Sequence, residues 1–395
     1  MKNWCILILT ILCFTSKGND SLPVSQVLQR IRSFQTQSYA HFPAGMFPSY
    51  REYHGRREVF KDDDNIFFTG LIVVTLKELK PLLSESDRLV VDSICHDAAP
   101  LYSLFQNNKG RGTYNFWRTN PRVVFPNGGW LNLMDNSQSL PDDMDDTVIL
   151  LRAQDAPDSV VRKVYQQMQL HLNAGSKRKK NIRADYKDIA AYSTWFGKRM
   201  PTDLDVCVLS NVLHFLYLRN VPTGKADSAS LKLICTAIDN GDIRIRPSYI
   251  SPHYARTPLI LYHIARLMTA AKIEMLEQRK AVLIAEARHQ LAIARDPMDK
   301  VILGTALLKW GVMPPAVHVN TKGEWFEALE TTDFAFFVAN MTSILPDPFR
   351  QATGKLGLGK FYYYAPAYNN LLFLEYLLLC RRHMQAGRSA ELSLK

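Results

Sequence analysis

The sequence predicts an all-α protein, a single (α/α)6 toroid of alternating inner and outer helices. Three observations predict it. Six strongly apolar segments recur, at 65–80, 144–154, 203–219, 254–270, 297–310 and 361–382. Between them lie segments at 84–107, 158–173, 226–239, 273–294 and 324–342 whose apolar residues repeat every three to four positions, the spacing of a half-exposed helix. Strand signals are few. Apolar helices that alternate with amphipathic ones suit an inner ring buried on all sides and an outer ring solvated on one face.

Taken in order, residues 1–18 read as a secretory signal: Lys2, an apolar run from Trp4 to Phe14, and small residues around Ser16-Lys17-Gly18. The run is short for a membrane span, so export to a periplasm or the extracellular space is the expectation, with a retained anchor as the alternative. Residues 19–60 form a lead segment, with a short amphipathic helix from Val24 to Phe34 and an aromatic loop from Phe42 to Tyr50. The toroid domain is expected to occupy 61–383, followed by a flexible tail at 384–395. The connection at 108–140 is long for a link between helices and carries Thr113 to Arg118 and Phe125 to Trp130; it reads as a wall or lid of a pocket.

A chain of 395 residues, 47% hydrophobic and 22% charged, builds a large core and is globular. The net charge of +11 includes Lys2 and Lys17 of the signal, and the rest favours anionic partners: diphosphates, acidic glycans or a peripheral contact with a membrane surface. No nucleic-acid motif accompanies the charge. Beyond the signal, Cys95, Cys207, Cys235 and Cys380 lie far apart without a Cys-x-x-Cys pair, as expected of buried thiols, with one disulfide as the alternative.

The stretch that asks for chemistry is Leu140 to Leu151, where Asp142, Asp143, Asp145 and Asp146 crowd the mouth of an apolar helix. One or two acids would serve as a cap. Four raise one another's pKa, and a carboxylic acid kept protonated near neutrality is what a general acid requires. Asp143-Met144-Asp145-Asp146-Thr147 resembles the Asp-x-Asp-Asp-Thr motif of class II terpene cyclases, and Val148-Ile149-Leu150-Leu151-Arg152 resembles the helix next to it in that family. The resemblance implies that Asp145 protonates an alkene or epoxide of a polyprenyl substrate while Asp143 and Asp146 hold and polarise it, with no cofactor required. Asp142, Asp143 and Asp146 also fit the Asp-Asp-x-x-Asp metal box of class I terpene synthases, but the second metal motif of that class is missing; a metal reading would use Mg or Ca. The repeated Gln-and-Trp signature of part of the cyclase family is missing too.

Unusual residues gather at the starts of the apolar segments: Asp63, Asp64 and Asn65; Asp203 and Asp205; His253, Tyr254 and Arg256; Asp299 and Lys300; Tyr362, Tyr363 and Tyr364. Parallel inner helices would bring these starts to one end, in an acidic pocket lined by Tyr114, Trp117, Trp195, Phe196, Tyr363 and Tyr364, with His253 or His214 orienting the acid and Lys198, Arg199 or Arg256 taking a diphosphate. A second reading is an exported carbohydrate-active enzyme. There Asp145 or Asp146 pairs with Asp64, Asp203 or Asp205 for hydrolysis of a glycan, or His253 and Tyr254 serve a lyase with Arg256 on a uronate. A third is a cation-binding barrel without turnover.

Overall fold

The computed structural model describes residues 22–37, 41–53, 60–123, 126, 140–179, 181–197, 201–315, 325–346 and 348–393. The signal expected at 1–18, most of the segment from 124 to 139, and Lys198 and Arg199 lie outside them. The chain runs α1 (Leu22–Phe34), β1 (Tyr50–Tyr53), β2 (Lys61–Asp62), α2 (Phe67–Leu79), α3 (Glu85–Ala98), α4 (Met144–Ala153), α5 (Asp158–Met168), α6 (Ala184–Lys187), α7 (Val206–Leu218) and α8 (Lys225–Asp239). It continues through α9 (Asp242–Ile245), α10 (Pro247–Ile250), α11 (Thr257–Ala270), α12 (Glu274–Glu277), α13 (Lys280–Ile293) and α14 (Pro297–Lys309). The last elements are α15 (Trp325–Glu330), β3 (Phe337–Asn340), α16 (Phe349–Leu356), β4 (Lys360–Tyr364) and α17 (Pro366–Ser393).

The protein is mostly helical, with a small four-stranded sheet in the order β2-β1-β4-β3, antiparallel throughout. The expectation of an all-α chain is corrected by that sheet. The apolar segments became α2, α4, α7, α11, α14 and α17, and their composition explains their burial: in α7, for example, every residue from Val206 to Leu216 is buried. Each packs on the next in chain order, and α17 packs back on α2, so the six form a closed circuit. Outside it, α3 lies on α2, α8 on α7, α13 on α11 and α14, α15 on α17, and α1 on α17 and α3.

Several expected boundaries moved, each for a local reason. The segment 84–107 breaks at Ala98, because Pro100 interrupts the α-helical bonding and the chain goes on as a tighter 3-10 helix from Ala99 to Phe105. The segment 324–342 is no helix beyond Glu330; Phe337–Asn340 is a strand against Lys360–Tyr364. The last apolar helix does not start at residue 361: Phe361 to Tyr364 are in the strand, where aromatic residues are favoured, and Pro366 opens the helix. The tail expected to be flexible from 384 is helical to Ser393. Among the described residues no helix is long and apolar enough to cross a membrane. Cys207 and Cys235 are buried and Cys95 half-buried, all three free thiols.

Candidate active site at the helix starts

Asp143 caps α4. Its Oδ1 accepts from the backbone N–H of Asp145 at 2.6 Å and of Asp146 at 3.2 Å, donors that the helix leaves unsatisfied. The backbone around it is gripped from two sides: Asp143 N–H donates to the Tyr114 carbonyl and Met144 N–H to that of Thr194. That clamp draws the acidic stretch inside the protein. Burial then raises the Asp143 pKa to about 6, against the charge of His253.

Asp145 is 3% exposed. The Asn211 amide on α7 donates to its Oδ1 at 2.8 Å, and the Tyr254 hydroxyl makes a short hydrogen bond to its Oδ2. Burial first, and the neighbouring Asp143 second, push its pKa up to about 8, so it carries a proton at neutral pH. A protonated carboxyl donates as well as accepts, and the Tyr254 oxygen is equipped to take that proton's hydrogen bond. Asp146 is buried too, its Oδ1 has no hydrogen-bond partner, and its pKa is pushed well above the ordinary range by burial and by Asp143 and Asp145.

The three acids of the metal-box reading, Asp142, Asp143 and Asp146, stand in different surroundings. Asp142 accepts from Asn107 and Thr113, Asp143 Oδ1 takes two backbone donors, and burial with Asp143 and Asp145 raises the pKa of Asp146 well above the ordinary range. Among the described residues no group of three His, Cys, Asp or Glu is placed to hold a metal ion.

The other acids act as braces. Asp205 caps α7 through Cys207 N–H at 2.8 Å and Val208 N–H at 3.2 Å, and also accepts from the Ser251 hydroxyl and His253 N–H. Asp203 takes His253 Nε2 at 2.9 Å and the Ser343 hydroxyl at 2.7 Å, with Lys179 Nζ at 3.6 Å. Burial works against its charge, but Lys179 and His253 outweigh burial and hold it below the usual carboxylate range. The same pair lifts His253 to about 9: burial lowers it, and Asp203, Asp205 and Asp143 more than reverse the loss. Asp64 pairs with Arg118, and burial still raises it to about 6; Asp63 accepts from Arg51 and from the Trp117 indole at 2.9 Å.

Where a hollow was expected, aromatic rings pack together. Phe337 of β3 lies 5.0 Å from Phe67, 5.4 Å from Phe116, 5.5 Å from Tyr363 and 5.8 Å from Tyr254, and its ring stacks on His253 at 6.0 Å. Phe336 meets Tyr254 at 5.7 Å and His263 at 5.4 Å. Tyr254 and His253 thus lie beside the acidic stretch, Tyr363 and Trp117 join the aromatic cluster through Phe337 and Phe116, and Trp195 stands edge-on to His253 at 6.0 Å with its Nε1 lacking a partner.

Four expected members lie elsewhere. The Tyr114 hydroxyl bonds Gln154 at the far end of α4, since only its backbone serves the acidic stretch. Tyr364 faces the other side of β4 from Tyr363, because strand side chains alternate, and donates to Glu52. Arg256 is paired with Asp299 at 2.9 Å and lies over Phe334. His214 lies 3.2 Å from Arg152, two turns down its helix, so it does not orient Asp145. Asn211 and the pair Phe336-Phe337 are the residues sequence reasoning missed. A lone amide inside the apolar run of α7 was the available signal for the first. Comparison with protein-family models, with curated proteins and with solved structures finds no significant match to this chain.

Proposed function

We propose that the protein is an enzyme of terpene-cyclase-like chemistry on an α/α toroid, in which Asp145 starts cyclisation by protonating a double bond or epoxide of a polyprenyl substrate. The observation that carries this reading is the setting of Asp145: buried, bonded to Asn211 and Tyr254, and beside Asp143, with burial and that neighbour raising its pKa. In the first step the Asp145 O–H bond breaks, the substrate's π electrons form a C–H bond (or an epoxide C–O bond opens onto the proton), and a carbocation is left. The Asn211 amide and the Tyr254 hydroxyl then stabilise the new carboxylate as donors. The rings of Tyr254, Phe67, Phe336 and Phe337 pack on one another, so the reading requires that they part to admit the substrate; their faces, which are negative, would then suit a cation. Loss of a proton from the cyclised cation, or capture of water, closes the reaction. No metal or other cofactor enters the scheme, and export and a lipid-like substrate belong to the same proposal.

The glycan reading draws less support. Hydrolysis needs a second carboxyl free to act, and Asp64, Asp203 and Asp205 are each held by an ion pair or a helix cap.

Asp145→Asn tests the proposal on a panel of polyprenyl alcohols, diphosphates and epoxides. Turnover by the wild type should fall by about 100-fold or more, the share that general acid catalysis supplies, while the thermal midpoint is kept. Undiminished turnover in the variant, or turnover of glycans and no polyprenyl compound by the wild type, would overturn it.

A further inference from the structure

The opposite end of the helix circuit holds a second cluster that the acid chemistry leaves unused. Each of the six helices places an acidic or basic side chain there: Glu78 from α2, Arg152 from α4, His214 from α7, Arg266 from α11, Lys309 from α14 and Glu375 from α17. Arg152 pairs with Glu78, and its other nitrogen lies 3.2 Å from His214 Nδ1. Arg266 Nη2 comes within 3.6 Å of Glu78, although α2 and α11 stand three places apart in the circuit, so this contact crosses its interior. Lys309 meets Glu375 at 2.8 Å, and the Tyr262 hydroxyl donates to the same carboxylate at 2.7 Å.

Two features need an explanation. The first is charge. Three cations face two carboxylates, and His214 adds nothing because burial drives its pKa well below the ordinary value. The second is an unmet donor. Arg266 is 3% exposed, yet its Nε and Nη1 have no hydrogen-bond partner. A buried guanidinium with idle donors is costly. Helix C-termini attract cations, which would account for the three basic residues. That attraction, and the Tyr262 ring centred 5.9 Å from the guanidinium carbon, leave Nε and Nη1 without an acceptor, for Arg266 reaches no helix carbonyl. Solvent does reach the cluster's edge, since 25% of the Glu78 side chain and 16% of the Arg152 side chain are accessible.

We propose that this end of the circuit binds a small oxyanion, a carboxylate or phosphate group, between Arg152, Arg266 and Lys309. One negative charge balances the three cations and two acids. The oxyanion supplies the acceptors that Arg266 lacks, and a guanidinium takes carboxylate and phosphate in preference to chloride because its planar donors match their geometry. The site stands apart from Asp145 and does not depend on how that residue works.

Calorimetric titration of the whole protein with sodium phosphate and, separately, sodium acetate tests it, with ionic strength held constant by chloride. Saturable binding of at least one of the two at a single site is expected, with a higher thermal midpoint than in chloride alone. Binding of phosphate alone identifies a phosphate group, and binding of acetate a carboxylate. Arg266→Gln should weaken that binding at least tenfold. Should Arg266→Gln not fold, Arg152→Gln at the accessible edge gives the same reading. No saturable binding of either anion, or variants that bind as the wild type does, would overturn the proposal.

Discussion

The two ends of the helix circuit both hold carboxyl groups against burial, Asp145 at 3% exposure and Glu78 with a quarter of its side chain accessible, and leave them in opposite states. At the starts, Asp145 meets an amide and a hydroxyl, next to further acids, and its proton stays on. At the far end, burial also presses Glu78 toward neutrality, but Arg152 and Arg266 outweigh it and hold the pKa below the ordinary range. Burial alone therefore decides nothing about charge. The partners weigh against burial: neutral donors and neighbouring acids leave Asp145 raised, one guanidinium leaves Asp64 still raised to about 6, and two guanidiniums carry Glu78 below its ordinary range.

The largest effect should come from breaking the charged end. Lys309→Met removes the cation that Glu375 meets at 2.8 Å, in a pair 9% and 1% exposed. Glu375 keeps the Tyr262 hydrogen bond but loses its ion-pair partner, and removing one member of a buried pair costs about 3–5 kcal/mol, so chemical denaturation should show a loss of that order. Asp145→Asn, an isostere of a group already neutral, should cost far less at pH 7. If Lys309→Met costs under about 1 kcal/mol, the two ends do not differ in the way described.

Dependence on pH sharpens the comparison, because the sign differs. Asp145 has a folded pKa of about 8, above its ordinary value, so between the two the folded state holds a proton that the unfolded chain releases. Stability from this group is full at low pH and declines as pH rises, by up to about 1.4 kcal/mol per unit, levelling off above pH 8. Asp145→Asn removes that decline, so the variant should gain on the wild type between pH 5 and 8. Glu78 is lowered, so its contribution is present above the ordinary glutamate range and is lost in acid. Glu78→Gln should therefore lose ground to the wild type at neutral pH, and the gap should close as pH falls through the glutamate range. Denaturant midpoints at pH 4, 5, 7 and 8.5 read both trends, and parallel curves for the two variants would contradict the assignment.

How much of this was legible in the sequence differs between the ends. Hydrophobic periodicity exposed all six buried helices, since runs such as Val206 to Leu216 admit no other place than the interior. The aspartates at their starts were legible as well, because Asp143 and Asp205 stand where caps stand. The sheet was not. Tyr50 pairs with Tyr364 and Phe337 with Tyr363, and such distant partners leave no local periodicity. The aromatic packing was lost with it, since Phe337 belongs to one of those strands. The charged end went unread for another reason: Glu78, Arg152, Arg266 and Lys309 sit near helix ends, where a lone charge looks like an ordinary solvated residue. Only the circuit brings them face to face.

The smallest effect is also the most discriminating, because it uses one chemical change at both ends. Tyr262 donates to Glu375, a carboxylate already salt-bridged to Lys309, whereas Tyr254 bonds Asp145, which is protonated. Hydrogen bonds to charged groups contribute about 1.5–3 kcal/mol and those between neutral groups about 0.5–1.5 kcal/mol. Replacing each tyrosine by phenylalanine deletes one oxygen and keeps a ring of the same shape, so packing is nearly constant across the pair. Tyr262→Phe should then be the costlier of the two at pH 7 by denaturant midpoint. The order should narrow or reverse above pH 8, where Asp145 loses its proton and the Tyr254 hydroxyl begins to serve a charge. Equal costs at both pH values would mean that the two carboxyls share one state, and the contrast between the ends would fail.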